Sequence, residues 1–409
     1  MSRRRASNSE SLASSSSMNE AFAYPFSSIQ QNHHQPPRRG PIEGPNGRRL
    51  IRRVTWRSST YKLMASLWVL GVFYIVWLIR DIFYLPFSPS QTFPITLAGP
   101  NHDFLAEYAG HRQCGLSSLS LFEPPQDTKL YCQTRDTLLN AMSNGGRHGF
   151  DAAYTSQGCS YRWFSVSQAC DILQKFDGVV FIGDESLADI YAGFNILLRQ
   201  NLESGSLKDW GFSKDQAEKC KCDSQFTNPL CAPLRIISSD QTYQQDGSAA
   251  ERSPYRCSTR ISHGFVPITG SPASKTAHET FRLWVSQATG KSRPVPVIHS
   301  LSLSTSHSLS TARSSMDEWL ASAQSSGRDM PFLWVGPNSP GHQNSPGDNV
   351  RARSWQYTLD ASDAARGKGI ESLGMYNVTL QADSWDGVHY GEKVALMQAM
   401  MILNWLAAL

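Results

Sequence analysis

Between residue 177 and the C-terminus, short apolar runs alternate with stretches of helical periodicity. That alternation restricts the fold more than any other feature of the 409 residues. Residues 177–182 (DGVVFI) read as a buried strand and are followed by a helix over 187–202. Further strands are expected at 234–238, 295–301, 331–335 and 370–376, with helices over 279–288, 311–323 and 350–365 and an apolar helix over 392–409. A short apolar run bounded by turn formers suits a strand buried on both faces. Strands joined through helices run parallel, so the expected class is α/β: a mainly parallel sheet with helices on both faces, in three layers. The stretch from 205 to about 243 breaks the pattern and carries Cys220, Cys222 and Cys231, so it reads as an insertion pinned by disulfides. There are no internal repeats.

Residues 1–62 cannot share that core. They are rich in Ser, Arg, Gln and Pro, and eleven Arg and Lys face only Glu10, Glu20 and Glu43. That is a local charge of +8 in a chain of net +4, leaving −4 for the rest, a balance that argues against a nucleic-acid partner for the main domain. With so little apolar surface the segment is expected to be a disordered basic cytosolic tail. The run LMASLWVLGVFYIVWLI (63–79) is uncharged, and at 1.5 Å per residue it covers about 25 Å, against a hydrocarbon core of about 30 Å. It lacks the polar face of a core helix, and a long tail precedes it, unlike a cleaved signal peptide. The expectation is a transmembrane signal anchor over 63–80, a stem over 81–100 and a luminal domain over 101–409. The positive-inside rule then puts the N-terminus in the cytosol of a single-pass type II protein. A short span suits the thin membranes of the endoplasmic reticulum and Golgi.

All eight cysteines (Cys114, Cys132, Cys159, Cys170, Cys220, Cys222, Cys231, Cys257) follow that segment. An even number on one side points to disulfides in an oxidising compartment. Zinc binding by the last four is the alternative, but their spacing is not that of a zinc finger, and no metal is expected. Asn377-Val378-Thr379 is the one N-glycosylation sequon, since Pro follows Ser where Thr or Ser is needed at Asn338 and Asn344.

Two places carry candidate chemistry. In FIGDESL (181–187) a strand ends at Gly183-Asp184 and a helix starts at once. Ligands of parallel sheets bind at such carboxyl ends, and the free amides of a helix start can hold an oxyanion near Ser186. The plain alternative is that Asp184 or Ser186 only caps the helix. In Asp386-Gly-Val-His389 an Asp three residues before a His can hold the ring Nδ1–H and so present Nε2 as a base. A capping Asp beside a surface His is the plain alternative there.

Taken together, Gly-Asp-(Glu)-Ser after the first strand and Asp-x-x-His before the last helix resemble the PC-esterase family of SGNH-like proteins. That family includes plant trichome-birefringence-like and fungal capsule O-acetyltransferases. YRWF (161–164), FNILL (194–198), PFLWVGPN (331–338), WDGVH (385–389) and MMILNW (400–405) add to the likeness, which covers roughly residues 100–409. The resemblance implies an SGNH-like sandwich and acyl transfer to or from a glycan hydroxyl in the secretory pathway. Ser186 would be the nucleophile, His389 the base and Asp386 its orienting partner, with Gly183 and Asp184 forming the turn. No cofactor is bound; an acyl donor, for which an acetyl-CoA-derived acetyl is one candidate, is a co-substrate, and a membrane partner could supply it.

The chain departs from the family pattern twice. Glu185 occupies the usual Ser slot and Ser186 follows it, about 100° further round a helix. The stretch 295–313 contains no Asn for an oxyanion hole, only Ser, Thr, His299 and His307, with Asn338 after the fourth strand as another polar candidate. A catalytically degenerate relative that binds glycans or a partner is therefore the second expectation. A type II glycosyltransferase is the third, and the absence of any Asp-x-Asp counts against it.

Overall fold

The computed structural model describes residues 59–84, 103–125, 131–208, 213–242, 254–260, 262–287, 293–344 and 349–409, with the backbone alone for 59–61 and 76–84. The chain divides into two units, Met1–Ile95 and Thr96–Leu409. The described part of the first is one helix, Ser59–Tyr84. No helix among the described residues is long and apolar enough to cross a membrane, which corrects the expected transmembrane span at 63–80. The physical reason is the length of the uncharged run, not of the helix. The uncharged run is closed by Lys62 on one side and by Arg80 and Asp81 on the other, and its reach of about 25 Å falls short of a hydrocarbon core of about 30 Å. The expected tail through residue 58 and the stem from residue 85 to 100 lie outside the described residues.

The second unit is built on five parallel strands: β1 (Val179–Gly183), β2 (His263–Pro267), β3 (Val297–Ser300), β4 (Phe332–Val335) and β5 (Glu371–Leu373). Their order across the sheet is β2-β1-β3-β4-β5. Val180 sits between Gly264 and Val297, and Trp334 pairs with Ser372. The chain moves outward from β1 in one direction to β2 and then in the other to β3. That reversal opens a crevice beyond the carboxyl ends of β1 and β3, where ligands of doubly wound sheets bind.

Alternation along the strands sorts the core into two layers. Val179 and Phe181 of β1, with Ile298, Leu333 and Leu373, pack against helices Glu185–Arg199 and Glu392–Ala407. Val180, Ile182, Val297 and Trp334 pack on the opposite face against helices Lys275–Gln287, Leu309–Ser325 and Val350–Gly367. Period-2 side-chain direction, with both faces covered, gives the continuous apolar runs of the sequence. The helix Glu392–Ala407 is largely apolar, with Gln398 and Asn404 its polar residues within the stretch buried from Val394 to Leu406. Each of its leucines contributes about 1.5–3 kcal/mol relative to an exposed position. This is the expected three-layer α/β arrangement.

The second strand is not where the sequence placed it. Residues 234–238 make only isolated bridges, Leu207 with Arg235 and Ser238 with Gly264, and the strand is His263–Pro267. Gly264 is required there because the Trp284 indole occupies the place of a Cβ. His263 is buried, hydrogen-bonded through Nδ1 to the Tyr191 hydroxyl at 2.9 Å, and burial pushes its pKa down to about 3.

All eight cysteines pair: Cys114–Cys222, Cys132–Cys159, Cys170–Cys257 and Cys220–Cys231. Two bridges pin the 205–243 insertion, one internally and one to the segment before the sheet. Each restricts the unfolded chain and is worth about 2–4 kcal/mol.

Candidate functional site

The turn after β1 is tight. A Cβ at Gly183 would lie 2.6 Å from the Ser300 carbonyl oxygen and 2.8 Å from Leu187 Cδ2, so only glycine lets β1 end this close to β3. Asp184 follows as the N-cap of helix Glu185–Arg199, its Oδ1 accepting from the Ser186 amide at 3.3 Å. Its other oxygen accepts from the Ser302 amide at 2.8 Å and from the amide and hydroxyl of Ser304 at 3.3 and 3.4 Å. Asp184 therefore ties the end of β1 to the loop after β3, across the crevice. Burial raises its pKa, and the donated hydrogen bonds offset only part of that.

Beyond the cap the two candidates for the nucleophile slot part company. Ser186 points inward: it is buried, and its Oγ has no hydrogen-bond partner among the described residues. Glu185 points outward, and its Oε2 lies 3.8 Å from His389 Nε2. The fold thus gathers Asp386, His389 and the Gly183–Ser186 turn at one edge of the sheet, and the side chain that faces the imidazole is Glu185.

The Asp386–His389 pair has the expected form. Asp386 Oδ2 lies 2.7 Å from His389 Nδ1, and Oδ1 accepts the amides of Val388 at 2.9 Å and His389 at 2.7 Å. Burial works to raise the Asp386 pKa, but the imidazole and the two amides outweigh it, and the net shift is downward. Burial likewise works to lower the His389 pKa. Its hydrogen bond to Asp386 and the charges of Asp189, Asp386 and Glu185 prevail, and the net shift is upward. The Trp385 ring stacks on His389, centroids 5.9 Å apart and planes at 24°, while remaining 45% exposed.

Three contributors were missed from the sequence. Asp189 sits one turn beyond Glu185, buried, with Oδ1 2.6 Å from Arg235 Nη1. Arg235 in turn bonds the Gln225 carbonyl and lies over the Phe226 ring at 5.3 Å. The spacing of four from Glu185 was the available signal for Asp189, but Arg235 lies in the irregular insertion and had none. Trp385 lies in the WDGVH run, but its stacking on His389 had no signal there.

Next to Glu185 and Val388 is a cleft of about 590 Å³, whose other walls include Leu303, His307, Arg353 and Tyr357. Ser306 and His307 both adopt left-handed backbone angles, φ 51° and 61°, which cost non-glycine residues on the order of 1–3 kcal/mol each and recur at functional sites. Burial, then the charge of Arg353, lowers the pKa of His307. Asn338 stands elsewhere in the network: its Oδ1 accepts from Gln398 Nε2 at 2.7 Å, joining the end of β4 to the C-terminal helix. Asn377 donates through Nδ2 to the Ser143 carbonyl at 2.9 Å.

No family model matches the chain, and no curated protein matches it at a significant level.

Proposed function

We propose that the Thr96–Leu409 unit binds a glycan at the crevice beyond β1 and β3 as a relative of SGNH-like O-acyltransferases in which a Glu185–His389 pair stands where the serine site would be. The observation that carries this is the placement of Glu185 against His389 with the Ser186 hydroxyl buried. A triad base must be neutral to take a proton from serine. Three carboxylates around His389 favour its charged form, and the group facing Nε2 is a carboxyl in place of a serine hydroxyl. What remains suits recognition of a sugar. Trp385 offers an exposed aromatic face, Glu185 and Asp386 offer acceptors for hydroxyls, and the adjoining cleft has the size of small-ligand pockets, about 300–1,000 Å³. Four disulfides suit an oxidising secretory or extracellular compartment.

Acyl transfer through Ser186 is the second reading, and one observation favours it: a buried hydroxyl at a helix start with no hydrogen-bond partner among the described residues. In that reading Oγ bonds the acyl carbon, the donor's leaving group departs with the serine proton carried by His389, and a sugar hydroxyl or water then takes the acyl group as its own proton returns through His389. Mass spectrometry of the purified chain after exposure to p-nitrophenyl acetate separates the two. The proposal expects unmodified Ser186, and saturable binding of a neutral oligosaccharide that Trp385→Ala weakens. Acetylated Ser186, lost in His389→Ala, would establish the second reading in its place.

A further inference from the structure

A second cavity, of about 410 Å³, lies beside the edge strand β5, away from the crevice. Helices Arg135–Ser143 and Val350–Gly367 form its sides, and the short helix Tyr376–Thr379 closes one end. Trp355 and Leu359, one helical turn apart, line it and stay 39% and 42% exposed. Trp355 meets Tyr376 nearly edge-on, with centroids 4.9 Å apart. The polar lining includes Asn140, Asn144 and Asn377. An aromatic platform beside amides is the composition that receives the apolar face and the hydroxyls of a sugar.

One of those amides heads the Asn-x-Thr sequon. Asn377 Nδ2 has two hydrogens and donates one to the Ser143 carbonyl. Thr379, which the glycosylation machinery must also read, is 1% exposed; its hydroxyl bonds the Met375 carbonyl at 3.0 Å and accepts the Ser339 amide at 2.7 Å. The sequon is therefore readable before this part of the chain folds and hidden afterwards.

We propose that Asn377 carries an N-glycan whose first sugar is seated in this cavity against Trp355, so that the chain's own modification covers its exposed Trp355–Leu359 patch. The bond formed joins Nδ2 to C1 of the sugar. The bond broken is the one from C1 to the pyrophosphate of a lipid-linked oligosaccharide donor, and the amide gives up one proton as the lipid pyrophosphate leaves. The remaining Nδ2–H keeps its bond to Ser143. The cavity fits because Asn377 itself lines it, at a volume within the range of small-ligand pockets. The inference rests on passage through an oxidising secretory compartment, which the disulfides support, and is independent of what the crevice binds.

The test uses the full chain made in a eukaryotic secretory host. Mass spectrometry should find Asn377 occupied, and peptide-N-glycosidase should release the glycan more slowly from the native than from the denatured protein. Trp355→Ala should speed native release by about two- to tenfold, the weight of one aromatic contact. Leu359→Ser should act in the same direction, and since both side chains are partly exposed the variants should melt like wild type. An unoccupied Asn377, native release as fast as denatured release, or no effect of Trp355→Ala would each overturn the proposal.

Discussion

Glu392, the first residue of the C-terminal helix, is 1% exposed, and neither carboxyl oxygen has a hydrogen-bond partner among the described residues. Its neighbour Asp223 accepts the Glu392 amide at 2.8 Å, and Asp151, Asp383 and Lys393 share the small cavity of about 200 Å³ beside them. Lys393 is spoken for by Asp151 at 2.8 Å. Burial, then the charge of Asp223, pushes the Glu392 pKa well above the usual carboxylate range. A folded state that keeps a proton the unfolded state has released is stabilised at low pH. Stability therefore falls as pH rises from the unfolded Glu value, about 4.3, and levels off above the folded value. One proton sets the steepest slope, about 1.4 kcal/mol per pH unit. Glu392→Gln removes this proton and leaves a neutral group of the same shape. Chemical denaturation of both proteins at several pH values above 4 should give a difference that grows with pH in favour of the variant. Wild type and variant with parallel pH profiles would refute the argument, because the carboxyl would then ionise alike in both states.

Asp386→Asn should lower the pKa of His389, since the hydrogen bond and charge that favour the imidazolium are lost; an NMR titration of the ring protons reads it, and an unchanged or raised value contradicts the dyad. Gly183→Ala should destabilise by about 1–3 kcal/mol, because the new methyl meets the Ser300 carbonyl and Leu187, contacts that cannot both yield; a stability gain in thermal melts would mean that the turn is looser than described. Replacing Cys114 and Cys222 together by Ser should cost about 2–4 kcal/mol, and non-reducing mass mapping of the wild type should return the four pairs. Mapping that found free thiols would overturn both.

Most of the sheet was legible because its strands are buried on both faces and therefore apolar throughout. β3, β4 and β5 fall inside the expected segments, β1 ends one residue beyond its own, and the helices that separate them match within a few residues. β2 escaped because its sequence, HGFVP, follows other demands. Gly264 makes room for Trp284, His263 bonds Tyr191, and Pro267 closes the strand, so hydrophobic pattern was exchanged for close packing and a buried polar contact. The nearby apolar residues 234–238 are better strand formers in isolation, and tertiary context overrode that preference. The helix Ser59–Tyr84 taught a different lesson: a helix was expected and is there, but no helix among the described residues is both long and apolar enough to cross a membrane.

The site was legible as a place and not as a mechanism. The rule that parallel sheets gather their carboxyl ends on one edge brought residues some two hundred positions apart together, and the Asp386–His389 geometry follows from three-residue spacing in a turn. Which side chain meets the imidazole depends on something finer, the phase of the first helical turn. With Asp184 fixed as the cap by its bonds to the loop after β3, Glu185 and Ser186 have no freedom to exchange roles: the next residue is exposed, and the one after it lies about 100° round, on the buried face. Bringing the Ser186 hydroxyl to His389 would require Asp184 to release Ser302 and Ser304 and so open the join between β1 and β3. The cap that the sequence offered as the plain explanation of Gly-Asp is thus the element that decides which side chain faces the imidazole. A variant that weakens it, Asp184→Ala, is the one in which Ser186 would first gain access to the imidazole.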